Sequence, residues 1–415
     1  MSADMDRKER RDGRSGARTG VHPILEAKDL VVNFYTYEGV VKALNGVSLT
    51  IPHGITFGLV GESGCGKSVF VRSLMGLVQA PGRIDGGELL FYPDQPSEDA
   101  PGRGVDLLRQ PESYLRRLRG DRISMIFQEP NAALNPIMTV GEQVAESFLF
   151  HRVRGMSEKI AADLGAGGGR TAGPVTAVLR VLYRISARNP RERVLRFMNR
   201  VPVLKRWRGR LLREALDRSA ELLGRLGISN PEEVIRRYPH NLSGGMKQRI
   251  VIAMALACKP VLLIADEATS NLDVTIQAQI LDLLKGLKKT EISSVLLITH
   301  DLGVVAETCD RVGVMYAGNV CEIADVKELF RNPRHPYTHA LLNAVPKMAQ
   351  TGPLESIEGT VPNLVDPPPG CRFHPRCPNA GEPCREVFPE MREMGVGHWV
   401  ACYFPVGGGW VRRFP

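Results

Sequence analysis

"GESGCGKS", residues 61–68, follows the apolar run "ITFGLVG" and precedes a helical pattern. A Gly-rich loop of the form G-x-x-x-x-G-K-S between a buried strand and a helix decides the fold, because that placement is what a phosphate-cradling loop requires. The glycines let backbone N–H groups curl around phosphate oxygens, and the helix N-terminus adds positive potential. The loop residues Gly61, Ser63, Gly64, Cys65, Gly66 and Val69 are the expected cradle. Lys67 is placed to neutralise the β and γ phosphates of a nucleotide and Ser68 to ligate Mg²⁺.

Working outward, "ILEAKDLVVNFYTYEGVVKALNGVSLTI" upstream alternates apolar and polar residues around a turn, the pattern of two half-buried strands. Downstream, apolar strand-like runs recur at "RISMIFQ", "VLLIADE" and "SVLLITH", with helical patterns such as "VTIQAQILDLLKGLKK" between them. This alternation predicts an α/β core with a mostly parallel sheet. "VLLIADE" ends a buried strand with two adjacent carboxylates, at the strand end where α/β folds hold ligands. Asp266 would hold Mg²⁺ or its water, and Glu267 would polarise the water that attacks the γ-phosphate.

The chain has 415 residues, 43% of them apolar and 24% charged, which fits a globular protein of two or three domains. No apolar run approaches the roughly 20 residues that span a bilayer, and the charged, Gly-containing residues 1–22 read as a disordered tail without the apolar centre of a secretory signal. The expectation is a chain that folds in the cytoplasm. Its formal charge of +9 is concentrated: residues 150–213 hold 16 Lys and Arg against 3 Asp and Glu, so the remainder is slightly acidic.

"NLSGGMKQR", residues 241–249, supplies the second decisive stretch. A Ser that caps a helix and two glycines that allow close backbone approach make a phosphate-facing surface from Ser243, Gly244 and Gly245. With "GESGCGKS" and "VLLIADE" it resembles the ATP-binding cassette (ABC) ATPases, whose signature segment lies just ahead of the acidic strand. The resemblance implies an ABC ATPase fold: a parallel-sheet core, an antiparallel β subdomain and a helical subdomain. It also implies ATP and Mg²⁺ as ligands. Gln128 in "IFQEP" corresponds to the family's Q-loop, which senses Mg²⁺ and water and faces a transmembrane partner. His300 in "LLITHD" corresponds to the switch histidine on the γ-phosphate. "SNLD", ending in Asp273, stands at the D-loop, where Asn271 departs from the family's usual Ala. Phe34 is the expected ring on adenine, with Tyr37 second.

"SMIFQEPNAALNPIMTVGEQVAE", "YPHNLSGGMKQRIVIAMALACKPVLLIADEATSNLDVTIQAQIL" and "NPRHPYTHALLNAVP" are similar to the ATPases of dipeptide, oligopeptide and nickel importers. This implies an ATPase cassette over residues 23–330 and a C-terminal importer-type module over 331–415. Implied partners are two transmembrane permease subunits, an extracytoplasmic solute-binding protein and a second ATPase, since one cassette's phosphate loop faces the other's signature. A soluble ABC ATPase acting on nucleic acid or the ribosome is the alternative, but the chain carries neither paired cassettes nor long coiled coils. Intact Lys67, Glu267 and His300 argue against a subunit with degenerate catalysis.

Two features fall outside that pattern. Cys65, Cys258, Cys309 and Cys321 are scattered and read as packing residues, whereas Cys371, Cys377, Cys384 and Cys402 cluster near the end of the chain. Four thiols in a reducing compartment suggest metal. Their loose spacing beside prolines suits an iron–sulfur cluster better than the short knuckles of structural zinc. Some members of the resembling family carry a 4Fe–4S cluster on cysteines so spaced; zinc is the second expectation. The other feature is a basic insertion at 162–213. "VTAVLRVLYRISAR" sets Val175, Val178, Leu179, Leu182 and Ile185 at helical spacing beside Arg180, Arg184 and Arg188, a pattern that suits an anionic membrane surface or a permease and equally a basic face packed on the same protein or solvated, with nucleic acid a lesser alternative.

Overall fold

Alternation in the first strand pair produces a long antiparallel ribbon: β1 (Pro23–Thr36) pairs with β2 (Gly39–Pro52) from Thr36–Gly39 back to Pro23–Pro52. The molecule is described by a computed structural model covering residues 22–94, 104–166, 174–188, 206–268, 273–290, 292–345 and 357–407. The expected tail up to residue 21, Ser270, Asn271 and residues 189–205 of the basic insertion lie outside the described residues. β4 (Gly82–Phe91) and β5 (Val105–Asp106) complete a four-stranded antiparallel sheet in the order β2-β1-β4-β5.

The apolar runs form the second sheet. β3 (Thr56–Val60), β6 (Ile123–Ile126), β7 (Leu262–Asp266), β8 (Ser294–Ile298) and β9 (Arg311–Tyr316) are parallel neighbours in the order β9-β3-β8-β7-β6. Every residue of β3, β7 and β8 is buried, which is why those strands read as continuous apolar runs. Their carboxyl ends all point to one edge, and this alignment positions the site. The antiparallel sheet packs over β3 and the helix Lys67–Leu74 through Leu30, Leu44, Phe57, Phe70 and Phe91.

Between β6 and β7 lies the helical region. Thr139 and Glu142 form a capping box that starts the helix Val140–His151. The insertion contributes the helix Pro174–Arg188, which packs on the helix Val153–Ala166: Ser157 Oγ donates to Ser186 Oγ at 3.0 Å. Leu182 and Tyr183 are buried in the core, and the Tyr183 hydroxyl donates to the Trp207 carbonyl at the start of the helix Arg206–Arg225. The described part of the insertion is therefore knitted into the helical core. Of the expected apolar stripe, Leu179, Leu182 and Ile185 face that core, while Val178 is 51% exposed.

The Cys-rich end corrects the expectation of a separate module. β10 (Asn319–Asp325) returns antiparallel on β9, and β12 (His398–Val400) pairs with it through Glu322–Val400 and Ile323–Trp399. β11 (Arg392–Gly395) adds the last strand, so the eight-stranded order is β11-β12-β10-β9-β3-β8-β7-β6. Tyr337, Cys371, Phe373 and Cys384 share one apolar cluster with Val60 and Tyr316 of the central strands. The described C-terminal residues extend the core sheet and its packing.

Candidate functional site

β3 delivers the phosphate loop to the sheet's carboxyl edge, where the loop closes so tightly that side chains are excluded. A Cβ at Gly61 (φ 153) would stand 2.1 Å from the Met315 carbonyl oxygen, and one at Gly66 (φ 104) 2.8 Å from that of Ala43. Only glycine accommodates both the dihedral and the contact. Lys67, 5% exposed, donates from Nζ to the carbonyls of Gly61 at 2.7 Å and Glu62 at 3.0 Å. Its ammonium is thus held in the concavity where phosphate oxygens would lie. Cys65 is buried beneath the loop, with its Sγ 3.5 Å from Lys67 Nζ.

At the end of β7, Asp266 Oδ1 accepts from Ser68 Oγ at 3.4 Å. A hydroxyl and a carboxylate brought together beside the phosphate cradle are the hard oxygen ligands that Mg²⁺ takes. Burial, and then the adjacent Glu267 carboxylate, pushes the Asp266 carboxyl above the usual carboxylate range. A bound divalent cation would favour the ionised form and reverse that shift.

Glu267 lies in the left-handed region (φ 46), and its N–H donates to the Ile298 carbonyl of β8 at 2.9 Å. A non-glycine residue there costs on the order of 1–3 kcal/mol, so the surrounding packing must hold it. The result is a carboxylate aimed at two partners: Gln128 Nε2 donates to Oε2 at 2.7 Å, and His300 Nδ1 stands 3.3 Å from Oε1. Residues from β6, β7 and β8 thus meet at one point beside the phosphate loop, an arrangement able to hold and polarise a water.

Three expected groups stand apart from that point. Ser243 caps the helix Gly244–Leu256, its Oγ accepting from the Met246 N–H at 3.4 Å. Ser243 and Gly244 are exposed and Gly245 is half-buried; open space lies where a Gly244 side chain would be. No hydrogen bond joins these three residues to the phosphate loop among the described residues. The helix is nevertheless tied to the site, since Gln248 Nε2 donates to the Ala268 carbonyl at 2.6 Å and Lys247 Nζ to Asn131 Oδ1 at 2.9 Å. Phe34 is half-buried with its ring against Gly82, whereas Tyr37 is fully exposed.

Cys371, Cys377, Cys384 and Cys402 do converge, lining one small cavity with His335, His374 and Phe404. Burial pushes the thiols of Cys371 and Cys402 up to about 12 and that of Cys377 up to about 11. The donor set, four thiols around one cavity, fits a sulfur-held group in kind. As placed, no three His, Cys, Asp or Glu among the described residues stand in a metal-holding arrangement. The iron–sulfur and zinc expectations are therefore not carried by this geometry.

Sequence reasoning missed three residues of the site. Glu62, at an unspecified position of the phosphate-loop pattern, pairs with Arg376, and the Tyr337 hydroxyl accepts from the Glu62 N–H at 2.9 Å. Nothing in the local spacing joins residues so far apart in the chain; the charged residue at a free loop position was the one available signal.

Comparison with known proteins agrees with this geometry. A family profile described as "ABC transporter" matches residues 44–270, and one described as "Oligopeptide/dipeptide transporter, C-terminal region" matches 321–384. The dipeptide transport ATP-binding protein DppD of Bacillus subtilis is 42% identical over 382 residues, 92% of this chain and 94% of that protein. The oligopeptide transport ATP-binding protein OppD of Salmonella typhimurium is 39% identical over 384 residues, 92% of this chain and 94% of that protein. The dimeric structure of the bacterial ABC transporter cassette MJ0796 has a TM-score of 0.50 at 23% identity, covering 73% of this chain and 98% of that one, a likeness of fold. With a phosphate loop, an acidic strand end and a signature helix in the order and setting of these proteins, the chain belongs to the ATP-binding proteins of ABC transporters and is an ATPase.

Proposed function

We propose that this chain drives import of peptides, binding and hydrolysing ATP at the cytoplasmic face of the membrane as one of two paired cassettes beneath two permease subunits. An extracytoplasmic binding protein supplies the solute. Gly61, Ser63 to Val69 and the Phe34 ring hold the nucleotide, and Ser68, Asp266 and Gln128 hold Mg²⁺ or its water. Glu267 polarises the attacking water, and His300 contacts the γ-phosphate. The observation that carries the paired reading is the exposed signature. Ser243 to Gly245 present a helix N-terminus to solvent, while the phosphate loop of the same chain has its own hydrolysis residues and no signature over it. A second cassette facing head to tail supplies what each lacks. Peptides are the favoured cargo because the relatives compared above are named for dipeptide and oligopeptide transport. In membranes carrying the whole transporter, Ser243→Arg is expected to abolish ATP hydrolysis and leave labelled ATP binding at this chain's own phosphate loop intact. Undiminished hydrolysis would contradict the pairing.

Two finer assignments belong to the same proposal. The four cysteines hold a 4Fe–4S cluster, with zinc as the alternative; such a group would supply a staple for the C-terminal segment, since transport needs no redox step. Anaerobically purified chain is expected to contain about four irons and absorb near 400 nm, as thiolate-held cubanes do. One zinc would support the alternative, and metal-free protein would refute both. The basic insertion lies against anionic lipid headgroups. Arg184, Arg188, Val178 and Val181 are all exposed on the helix Pro174–Arg188, at spacings that put a cationic and apolar face outward.

A further inference from the structure

The segment "CRFHPRC", residues 371–377, begins and ends in cysteines of the C-terminal cavity, which Phe373 and His374 also line, while Arg372, Phe373 and Arg376 reach residues around the phosphate loop. Arg376 is 7% exposed at its side chain. Its Nη1 donates to both carboxylate oxygens of Glu62 at 3.1 Å and to the Tyr316 hydroxyl at 3.2 Å. Its Nε donates to the Glu358 carbonyl at 2.8 Å and its Nη2 to that of Ile357 at 3.3 Å. The guanidinium also lies 5.7 Å from the Tyr316 ring centre. A planar cation so fully occupied has a fixed position, and it fixes the Glu62 carboxylate in turn.

The same segment braces the loop at two more points. Phe373 packs on Tyr337 and Tyr316, with ring centres 5.2 and 5.1 Å apart, and Tyr337 takes the Glu62 N–H. Arg372, 4% exposed, donates to the Lys42 carbonyl at 3.0 Å and to the Ala317 carbonyl. Ala317 belongs to the β9–β10 turn, whose Gly318 N–H donates to the Cys65 carbonyl of the phosphate loop at 2.8 Å. The side chain and backbone of Glu62 are thus held by Arg376 and Tyr337, and the carbonyl of Cys65 by a turn that Arg372 braces. Lys67 donates to the carbonyl of that same Glu62.

We infer that Arg376 is a positioning residue for nucleotide binding: acting through Glu62, it sets the shape of the phosphate loop, and the C-terminal segment is thereby coupled to ATP affinity. Arg376 touches no reacting atom, so its removal affects how well the loop is formed before ATP arrives rather than how water attacks.

The test is a double-mutant cycle on the full chain within its transporter, measuring ATP affinity and ATPase kinetics for Glu62→Gln, Arg376→Gln and the pair. Each single variant is expected to raise the KM for ATP about tenfold, which is about 1.4 kcal/mol, with kcat changed less than about twofold; the double variant is expected to match the worse single one. Arg376→Lys, which keeps the charge and loses the fork, is expected to recover part of the loss. Should Arg376→Gln fail to fold, Glu62→Gln decides the matter, because Glu62 is 26% exposed at its side chain and tolerates an isosteric amide. KM values within about twofold of wild type for Glu62→Gln, or single losses that simply add in the double variant, would overturn the inference.

Discussion

At the scale of single residues, the proposed hydrolysis turns on Glu267, held at a strained dihedral between Gln128 and His300. Glu267→Gln keeps the side chain's shape and removes the carboxylate, so ATP binding is expected to stay within about threefold while steady-state hydrolysis falls by about a hundredfold or more, the range for loss of a positioned base. Hydrolysis within threefold of wild type would withdraw the role from Glu267. A second residue reports on folding. His335 is 1% exposed, and its Nδ1 accepts from the Tyr337 N–H at 3.1 Å. Burial pushes its imidazole down to about 4, so the folded chain excludes a proton that the unfolded chain takes up near pH 6.5. Its stabilising share is whole above pH 6.5 and declines as pH falls toward 4, by roughly 3 kcal/mol. His335→Asn keeps a capping side chain and loses the titration. Urea midpoints for wild type are expected to fall more steeply than the variant's over that window; parallel curves would count against the assignment. At this scale Lys67 and Ser68 could be singled out as candidates from one short motif, and Asp266 and Glu267 from an acidic strand end that gains weight by following it. Glu62, Tyr337, Arg372 and Arg376 could not, because their partners are set by how β9 and the C-terminal segment fold over the loop.

At the scale of elements, periodicity carried strands and helices well. The runs "RISMIFQ", "VLLIADE" and "SVLLITH" became β6, β7 and β8, and "VTIQAQILDLLKGLKK" lies in the helix Val274–Thr290. What period alone left open was which face of an element finds a partner. The helix Pro174–Arg188 has its apolar stripe, but Leu182 and Tyr183 spend it on the helical core. Removing the whole insertion would therefore expose that core, and a lipid contact is better probed from the outward face. Arg184→Glu with Arg188→Glu is expected to lower sedimentation with phosphatidylserine vesicles at low salt by about tenfold or more, given about 1 kcal/mol for each cation near an anionic surface. Unchanged sedimentation would end the membrane reading. The same limit explains the hairpin β11–β12: its strands are four and three residues long, too short to show a period, and they form by β12 pairing with β10 and β11 pairing with β12.

At the scale of the whole molecule, one sheet runs from β6, which ends two residues before Gln128, to β12 and β11, and β12 ends two residues before Cys402. The match to two successive family profiles, the cassette and the peptide-transporter C-terminal region, follows the same continuity. Among the described residues no helix is long and apolar enough to cross a membrane. The proposed function requires that hydrolysis at Glu267 power movement of a solute. The direct measurement is uptake of a radiolabelled dipeptide by cells whose transporter carries either the wild-type chain or Glu267→Gln, at equal amounts of assembled complex. Uptake is expected with the wild-type chain and is expected to drop to the level of cells lacking the chain with Glu267→Gln. Undiminished uptake by the variant would contradict the account.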